Sequence, residues 1–154
     1  MAASTDTAQK ERELVITRVF DAPRTLVFKM WIEPEHMVRW WGPRGFTLPS
    51  WKMDFRPGGA FRLVMRGPDD TDRRLRGVYR EIVEPERLTF TFAWEDEQGQ
   101  LGHETLVTIT FAEDSAKTKL TLHQAVFDSV DQCGKHREGW TQMLDRLALY
   151  LPRV

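Results

Sequence analysis

The chain has 154 residues, with 22 Lys and Arg against 23 Asp and Glu, giving a formal net charge of −1. This length predicts one domain, and the balanced charge excludes the basic field typical of proteins that bind nucleic acid or anionic lipid. Hydrophobic residues make up 41% of the chain, which excludes intrinsic disorder as its overall state.

The N-terminal residues and the single cysteine indicate the cellular compartment in which the protein is expected. Cys133 has no partner for an intramolecular disulfide, which fits a reducing environment. The N-terminus lacks the apolar run of a signal peptide, and no stretch of about 18 apolar residues is present to span a membrane. We therefore expect a soluble, cytoplasmic protein, with a disordered tail at residues 1–11 and a single domain at residues 12–152.

The first third of the domain predicts one strand and two short helices. Apolar and polar residues alternate from Arg12 to Phe20, as in a strand with one buried face. Apolar residues then recur at helical spacing as far as Trp31, and Pro34 begins a second short helix that reaches Trp40.

The middle of the chain predicts six strands separated by turns containing Gly, Pro and Asp. These strands are expected at about residues 47–55, 60–66, 75–83, 88–94, 103–111 and 118–126. Four of them, at 60–66, 88–94, 103–111 and 118–126, alternate apolar and polar residues. In one of these Phe90, Phe92 and Trp94 share a face, whereas both faces of the strand at 75–83 carry apolar and charged groups. Such alternation in consecutive strands favours an antiparallel sheet over a parallel one, whose strands are apolar throughout.

From about Asp131 the apolar period changes to that of a helix, which Pro152 ends. One stripe along this helix comprises His136, Trp140, Met143, Leu144, Leu147 and Leu151. Because twisted antiparallel strands curl, we expect this long amphipathic helix to lie across the concave face of the sheet. The predicted fold is α+β: a strand, two short helices, a curved antiparallel sheet of about six further strands, and a long C-terminal helix.

Several strings of residues carry a family resemblance between about Glu13 and Leu151. They are Ala22-Pro23, Trp40-Trp41-Gly42-Pro43, Arg56-Pro57-Gly58-Gly59, Met65-Arg66-Gly67-Pro68-Asp69, Pro85-Glu86-Arg87-Leu88 and Gly139-Trp140. In their order and spacing the chain resembles the activator of heat-shock-protein-90 ATPase homologue family of the SRPBCC, or START-like, superfamily. The resemblance implies a helix-grip fold with a cavity that holds apolar molecules. One departure is Gln124, with His123 beside it, where many members have a histidine.

Aromatic and apolar side chains on the expected inner faces are the candidate ligand-binding residues, since flat rings suit apolar ligands. They are Trp40, Trp41, Phe46, Phe61, Leu63, Met65, Tyr79, Phe90, Phe92, Trp94, His136, Trp140 and Met143. A simple packed core is the alternative interpretation of the same rings. Of the adjacent pair Trp40 and Trp41, we expect one to pack inward and the other to lie at the rim.

Polar candidates are fewer, and no catalytic residue is assigned. His136 either presents a titratable nitrogen to the cavity or is a hydrogen-bonded structural histidine. Strand parity places Tyr79 and Glu81 on one face, where with Arg62 they would orient a ligand, act as acid and base, or remain solvated strand residues. The basic cluster Arg73, Arg74 and Arg76 is interpreted as a solvated hairpin.

The sequence contains no Cys-x-x-Cys pair, His-Glu-x-x-His string, phosphate loop or dinucleotide fingerprint, so we expect no metal and no cofactor. Three functions remain open. The first is binding of a small apolar or aromatic ligand. The second is a co-chaperone-like interaction protein, with a chaperone as partner, and the third is a cofactor-free cyclase or hydrolase. A homodimer is plausible, and neither nucleic acid nor a membrane is expected as a partner.

Overall fold

A computed structural model describes residues 9–154 of the chain. Its elements are β1 (Leu14–Phe20), α1 (Arg24–Ile32), α2 (Pro34–Trp40), β2 (Thr47–Met53), β3 (Ala60–Arg66), β4 (Asp72–Val83), β5 (Arg87–Glu95), β6 (Thr105–Asp114), β7 (Lys117–Ala125), α3 (Val130–Tyr150) and a 3-10 turn at Leu151–Arg153. Most of the predicted tail, residues 1–8, lies outside the described residues. Within residues 9–154, no helix has the length and apolar character needed to cross a membrane.

The strands of residues 9–154 form one seven-stranded sheet in the order β1-β7-β6-β5-β4-β3-β2. Every neighbouring pair is antiparallel, and only β1 joins out of sequence order, by pairing with β7. The predicted α+β fold, with six further strands and a long last helix, is therefore confirmed.

The concave face of the sheet carries the apolar residues that the alternation predicted. On β3 these are Phe61, Leu63 and Met65, all buried, and their neighbours Arg62 and Arg66 point to the solvated face. Burying each such side chain contributes about 1.5–3 kcal/mol, so the alternation determines which face the sheet presents to the helices.

Helix α3 covers this face. Ser129 begins the helix, its Oγ accepting a hydrogen bond from the Gln132 N–H at 3.1 Å, which satisfies one of the otherwise unpaired donors of the first turn. Trp140 and Leu144 are buried further along, with the Trp140 ring 6.3 Å from that of Phe92 on β5.

Strand β4 begins at Asp72, three residues before the predicted start at Leu75, because the preceding turn is tight. The Gly67 N–H donates to the Thr71 carbonyl at 3.0 Å, and Asp70 has a φ of 63°. The strand therefore pairs with β3 at once, and the basic cluster at Arg73, Arg74 and Arg76 lies within β4. The cluster therefore belongs to a hairpin, as predicted, on its second strand and not in its turn.

A change of register in β4 separates two residues that parity placed together. The pairing with β5 shifts between Tyr79 and Glu81, as in a β-bulge. Tyr79 is buried, whereas Glu81 is exposed and forms an ion pair with Arg87. After the shift Ile82 packs against the core, so the prediction of a shared face for Tyr79 and Glu81 was wrong.

Candidate ligand pocket

A pocket of about 480 Å³ lies between the concave face of the sheet and α3. This volume is within the range of roughly 300–1,000 Å³ that small-molecule sites occupy. Its lining residues are Trp41, Pro43, Phe46, Met65, Asp72, Arg73, Arg74, Leu75, Phe92, Trp94, Glu95, Gln132, Lys135, His136, Gly139, Trp140 and Met143. We call it the sheet–helix pocket.

One wall of the sheet–helix pocket is a face of α3. The lining residues on the helix are Gln132, Lys135, His136, Gly139, Trp140 and Met143. Successive residues of this set are alternately three positions and one position apart, so each has a neighbour three or four positions away, which places them on one side of an α-helix. Gly139 lies in the middle of this wall, and a Cβ added to it meets only Pro43 Cγ, at 3.9 Å. The missing side chain therefore leaves room in the pocket.

The predicted binding residues are divided between this pocket and a packed region next to it. Those that line the pocket are Trp41, Phe46, Met65, Phe92, Trp94, His136, Trp140 and Met143. Phe61, Leu63, Tyr79 and Phe90 surround a void of about 20 Å³ that Trp41 also lines. Trp40 lies outside both spaces, fully buried, and its Nε1–H donates to the Met30 carbonyl at 3.2 Å. Trp41 is also buried.

Ring packing explains why the second region is filled. The Phe61 ring centroid lies 5.2 Å from that of Tyr79 and 5.5 Å from that of Phe90, both distances typical of aromatic contact. Trp41 stands edge to face against Trp140, with ring centroids 5.6 Å apart. Because Trp41 lines both spaces, its ring lies at the boundary between the packed region and the open pocket.

His136 is held in one tautomer by its neighbour on β5. The Trp94 Nε1–H lies 3.0 Å from His136 Nε2. An indole nitrogen only donates, so Nε2 is the acceptor and the proton of the neutral ring is on Nδ1. The rings of Phe92 and Phe127 pack at 5.4 and 4.8 Å, and burial lowers the pKa of His136 to about 4. At neutral pH this pocket wall is therefore uncharged at His136, with Nδ1–H as a donor.

A buried polar chain fixes the other large ring of the helix wall. Trp140 Nε1–H donates to Gln124 Oε1 at 2.7 Å, and Gln124 Nε2 donates to Thr105 Oγ1 at 2.8 Å. Thr105 Oγ1 in turn donates to the Phe92 carbonyl at 3.2 Å. Gln124 faces the core, whereas His123 points to the opposite face near Glu13. The glutamine therefore holds the Trp140 ring through its amide oxygen.

The catalytic candidates are not brought together. Burial raises the pKa of Tyr79 well above its usual value, and its ring lies in the packed region. Arg62 lies on the solvated face with Glu95, at 2.7 Å, and Glu81 is paired with Arg87. The Nε2 lone pair of His136 is already occupied by Trp94. Within residues 9–154, no group of three or more His, Cys, Asp or Glu side chains is placed to hold a metal ion.

Sequence reasoning missed several lining residues, most of them polar. Gln132, Lys135 and Gly139 lie at helical spacing from Trp140, and extending the stripe around that tryptophan would have found them. Arg73 had no such signal, because its place depends on the tight turn before β4. Leu75 pairs with Leu63 and Trp94, which identifies the face of β4 that lines the pocket.

The curved antiparallel sheet, the long C-terminal helix across it and the pocket between them define a helix-grip protein of the START-like class. The sequence matches the family "Activator of Hsp90 ATPase homolog 1-like protein" over residues 21–152, and the chain belongs to this family, within the SRPBCC superfamily. The resemblance inferred from its sequence strings is thus confirmed.

Solved structures agree with this assignment. An AHSA1 protein from Silicibacter pomeroyi is 25% identical, with a TM-score of 0.84 over 91% of this chain and 97% of its own. A protein from Arthrobacter aurescens is 26% identical, with a TM-score of 0.82 over 94% of this chain and 88% of its own. A Chromobacterium violaceum protein is 27% identical, with a TM-score of 0.78 over 91% and 96%. No curated protein matches the chain significantly.

Proposed function

We propose that this protein binds a small apolar or aromatic molecule in the sheet–helix pocket. The observation that carries the proposal is the pocket itself, about 480 Å³ of open space beside a region that is packed with rings. Phe92 lines it from the sheet and Trp140 lines it from the helix, with the two rings in contact and their centroids 6.3 Å apart. An aromatic ligand that packs against this pair gains apolar burial, at about 25 cal/mol for each Å² removed from water.

The site favours holding a molecule over transforming it. The Trp140 ring is fixed by Gln124, and the His136 ring is fixed by Trp94, so two rings of the helix wall are preorganised. Preorganisation lowers the entropy lost on binding. The titratable groups that would act as acid and base do not converge on the pocket: Tyr79 lies in the packed region and Glu81 is ion-paired on the exposed side of the bulge.

Filling the pocket from α3 tests this proposal. In Gly139→Leu, the new side chain grows from the middle of the helix wall into the space that a ligand would use. We expect it to weaken binding of N-phenyl-1-naphthylamine, an uncharged aromatic probe, by at least about tenfold, because the volume is no longer available. The melting temperature should not fall, since leucine is the better helix former by nearly 1 kcal/mol. A fluorescence titration measures the first and a thermal melt the second.

Gly134 provides the matched control in the same helix. It is exposed, and a Cβ added to it meets nothing within 4 Å. Gly134→Leu should gain the same helix propensity and leave probe binding unchanged. If the wild type does not bind the probe saturably, or if both leucine variants bind it as well as the wild type does, the proposed function is incorrect.

A further inference from the structure

Arg73 occupies an unusual place for a charged residue, because it lies on the concave face of the sheet. It pairs with Met65 across β3 and β4, one step beyond the pair Leu75 and Leu63. Residues directly opposite each other in an antiparallel pair project from the same face. Met65 is buried and lines the pocket, so Arg73 lies on that same face at the mouth of the pocket, where its side chain is exposed.

The two carboxylates among the lining residues, Asp72 and Glu95, project from the solvated face of the sheet, where they bind arginines that do not line the pocket. Asp72 binds Arg66 through two hydrogen bonds of 2.9 and 3.3 Å, which lower its pKa. Glu95 binds Arg62 through two more, of 2.7 and 3.2 Å, and its side chain is only 4% exposed. These pairs leave neither carboxylate as the counter-ion of Arg73.

Arg73 and Lys135, the cations at the mouth of the pocket, form fewer and weaker ion pairs than the two lining carboxylates do. Within residues 9–154, the Arg73 guanidinium forms no ion pair and no hydrogen bond. The nearby Asp69 has its Oδ1 bound to the Thr71 N–H at 3.1 Å. Hydrogen bonds to Thr71 and, to a smaller extent, the charge of Arg73 lower the pKa of Asp69, so Asp69 interacts with Arg73 at a distance without forming an ion pair. Among the described residues Lys135, on the helix side, pairs only with Asp131, at 3.3 Å, and both side chains are largely exposed, so this pair is weak. The mouth thus offers positive charge from the sheet wall and from the helix wall.

Resting on the proposed function, we infer that the ligand is an aromatic molecule carrying one anionic group, a carboxylate or a sulfonate. The ring system packs against Phe92 and Trp140, and the anion lies at the mouth against Arg73 and Lys135. His136 lines the same pocket, and in this inference its Nδ1–H donates to a second oxygen of the anion. An arginine fork matches the geometry of such oxyanions, and a charge-assisted hydrogen bond is about twice as strong as a neutral one.

A matched pair of probes separates the contribution of the anionic group to binding from the contribution of the ring system. 8-Anilinonaphthalene-1-sulfonate and N-phenyl-1-naphthylamine share one aromatic skeleton, and only the first carries a sulfonate. We expect the wild type to bind the sulfonate more tightly, and Arg73→Gln to weaken sulfonate binding by about tenfold while leaving the uncharged probe unaffected. Arg73→Lys should restore part of the preference. Arg80→Gln, at an exposed arginine of the same strand away from the pocket, should change neither affinity.

The outcomes distinguish this inference from the proposed function. Equal affinity of the wild type for the two probes, or an unchanged preference for the sulfonate in Arg73→Gln, overturns the inference that the ligand is anionic. Either result leaves the proposed apolar pocket unaffected. Failure of the uncharged probe to bind the wild type overturns the proposed function and, with it, this inference. A loss of preference in Arg73→Gln that Arg73→Lys partly reverses supports the anion site. Circular dichroism of each variant confirms that the chain is folded when affinity is measured.

Discussion

Gly77→Ala is expected to destabilise the protein by about 3 kcal/mol, the upper end of what overpacking a core typically costs. Gly77 lies in β4 opposite Phe61. A Cβ built on it would lie 2.0 Å from the Thr91 carbonyl oxygen and 2.4 Å from Phe61 Cζ. Neither distance is possible for real atoms, and the carbonyl belongs to the backbone of β5. The methyl group therefore has to push two central strands apart or displace the aromatic packing beside the pocket.

Urea unfolding measures this effect, and Gly134→Ala is its matched control. Gly134 lies in α3 with nothing within 4 Å of an added Cβ, so alanine there should stabilise the protein by nearly 1 kcal/mol through helix propensity. The two substitutions add the same methyl group, yet they should change the free energy of unfolding in opposite directions. A Gly77→Ala variant as stable as the wild type would contradict the close approach of β4 to Thr91.

The second large effect is a pH dependence that arises from His136. Burial lowers the pKa of His136 to about 4 in the folded protein, whereas an unfolded histidine has a pKa of about 6.5. Between these values the unfolded chain binds a proton that the folded chain does not, so stability falls as the pH falls. At about 1.4 kcal/mol for each pH unit, this group alone removes about 2–3 kcal/mol between pH 7 and pH 4.5.

Comparison with His136→Gln isolates this contribution. Glutamine is uncharged at every pH and offers an acceptor to the Trp94 N–H. All other titrating groups are common to both proteins, so they cancel in the difference between the two free energies of unfolding. On going from pH 7 to pH 4.5, the wild type should lose about 2–3 kcal/mol of unfolding free energy relative to His136→Gln. Parallel pH profiles for the two proteins would show that His136 is not desolvated in the pocket wall.

Periodicity predicted the parts of this molecule in which a whole face is buried. The alternation in β3 and β5 identified Phe61, Met65 and Phe92 as concave, because every second side chain of those strands leaves water. The spacing of Trp140 and Met143 identified the buried side of α3 for the same reason. The face of an element follows from the local pattern, and here the pattern is regular.

The alternation does not predict whether a buried side chain reaches the open pocket or packs in the filled region. Phe90 and Phe92 share a face of β5, but only Phe92 reaches the open pocket, while Phe90 packs in the filled region. The boundary is the Trp41 ring, which comes from the residue after α2 and is distant in sequence from both. Ring packing among separate elements sets this boundary, so the sequence predicted the candidate residues without separating the two groups.

The charged mouth was missed for a different reason. Arg73 reaches the concave face only because the chain turns within five residues from Gly67 to Thr71 and enters β4 at Asp72. A longer turn would leave the same arginine in a solvated loop. Likewise the register shift after Tyr79 sends Glu81 away from the face that parity gave it. One residue of turn length or bulge reverses the direction of a side chain.

The location of a bound aromatic molecule tests the central claim most directly. We would soak crystals of the protein in 1-bromonaphthalene and find the bromine by its anomalous scattering. The predicted result is a bromine peak in the sheet–helix pocket, with the naphthalene ring in contact with Phe92 and Trp140, and no such peak in crystals of Gly139→Leu. A pocket without a peak in the wild type, or bromine found only on the outer surface, would contradict the account.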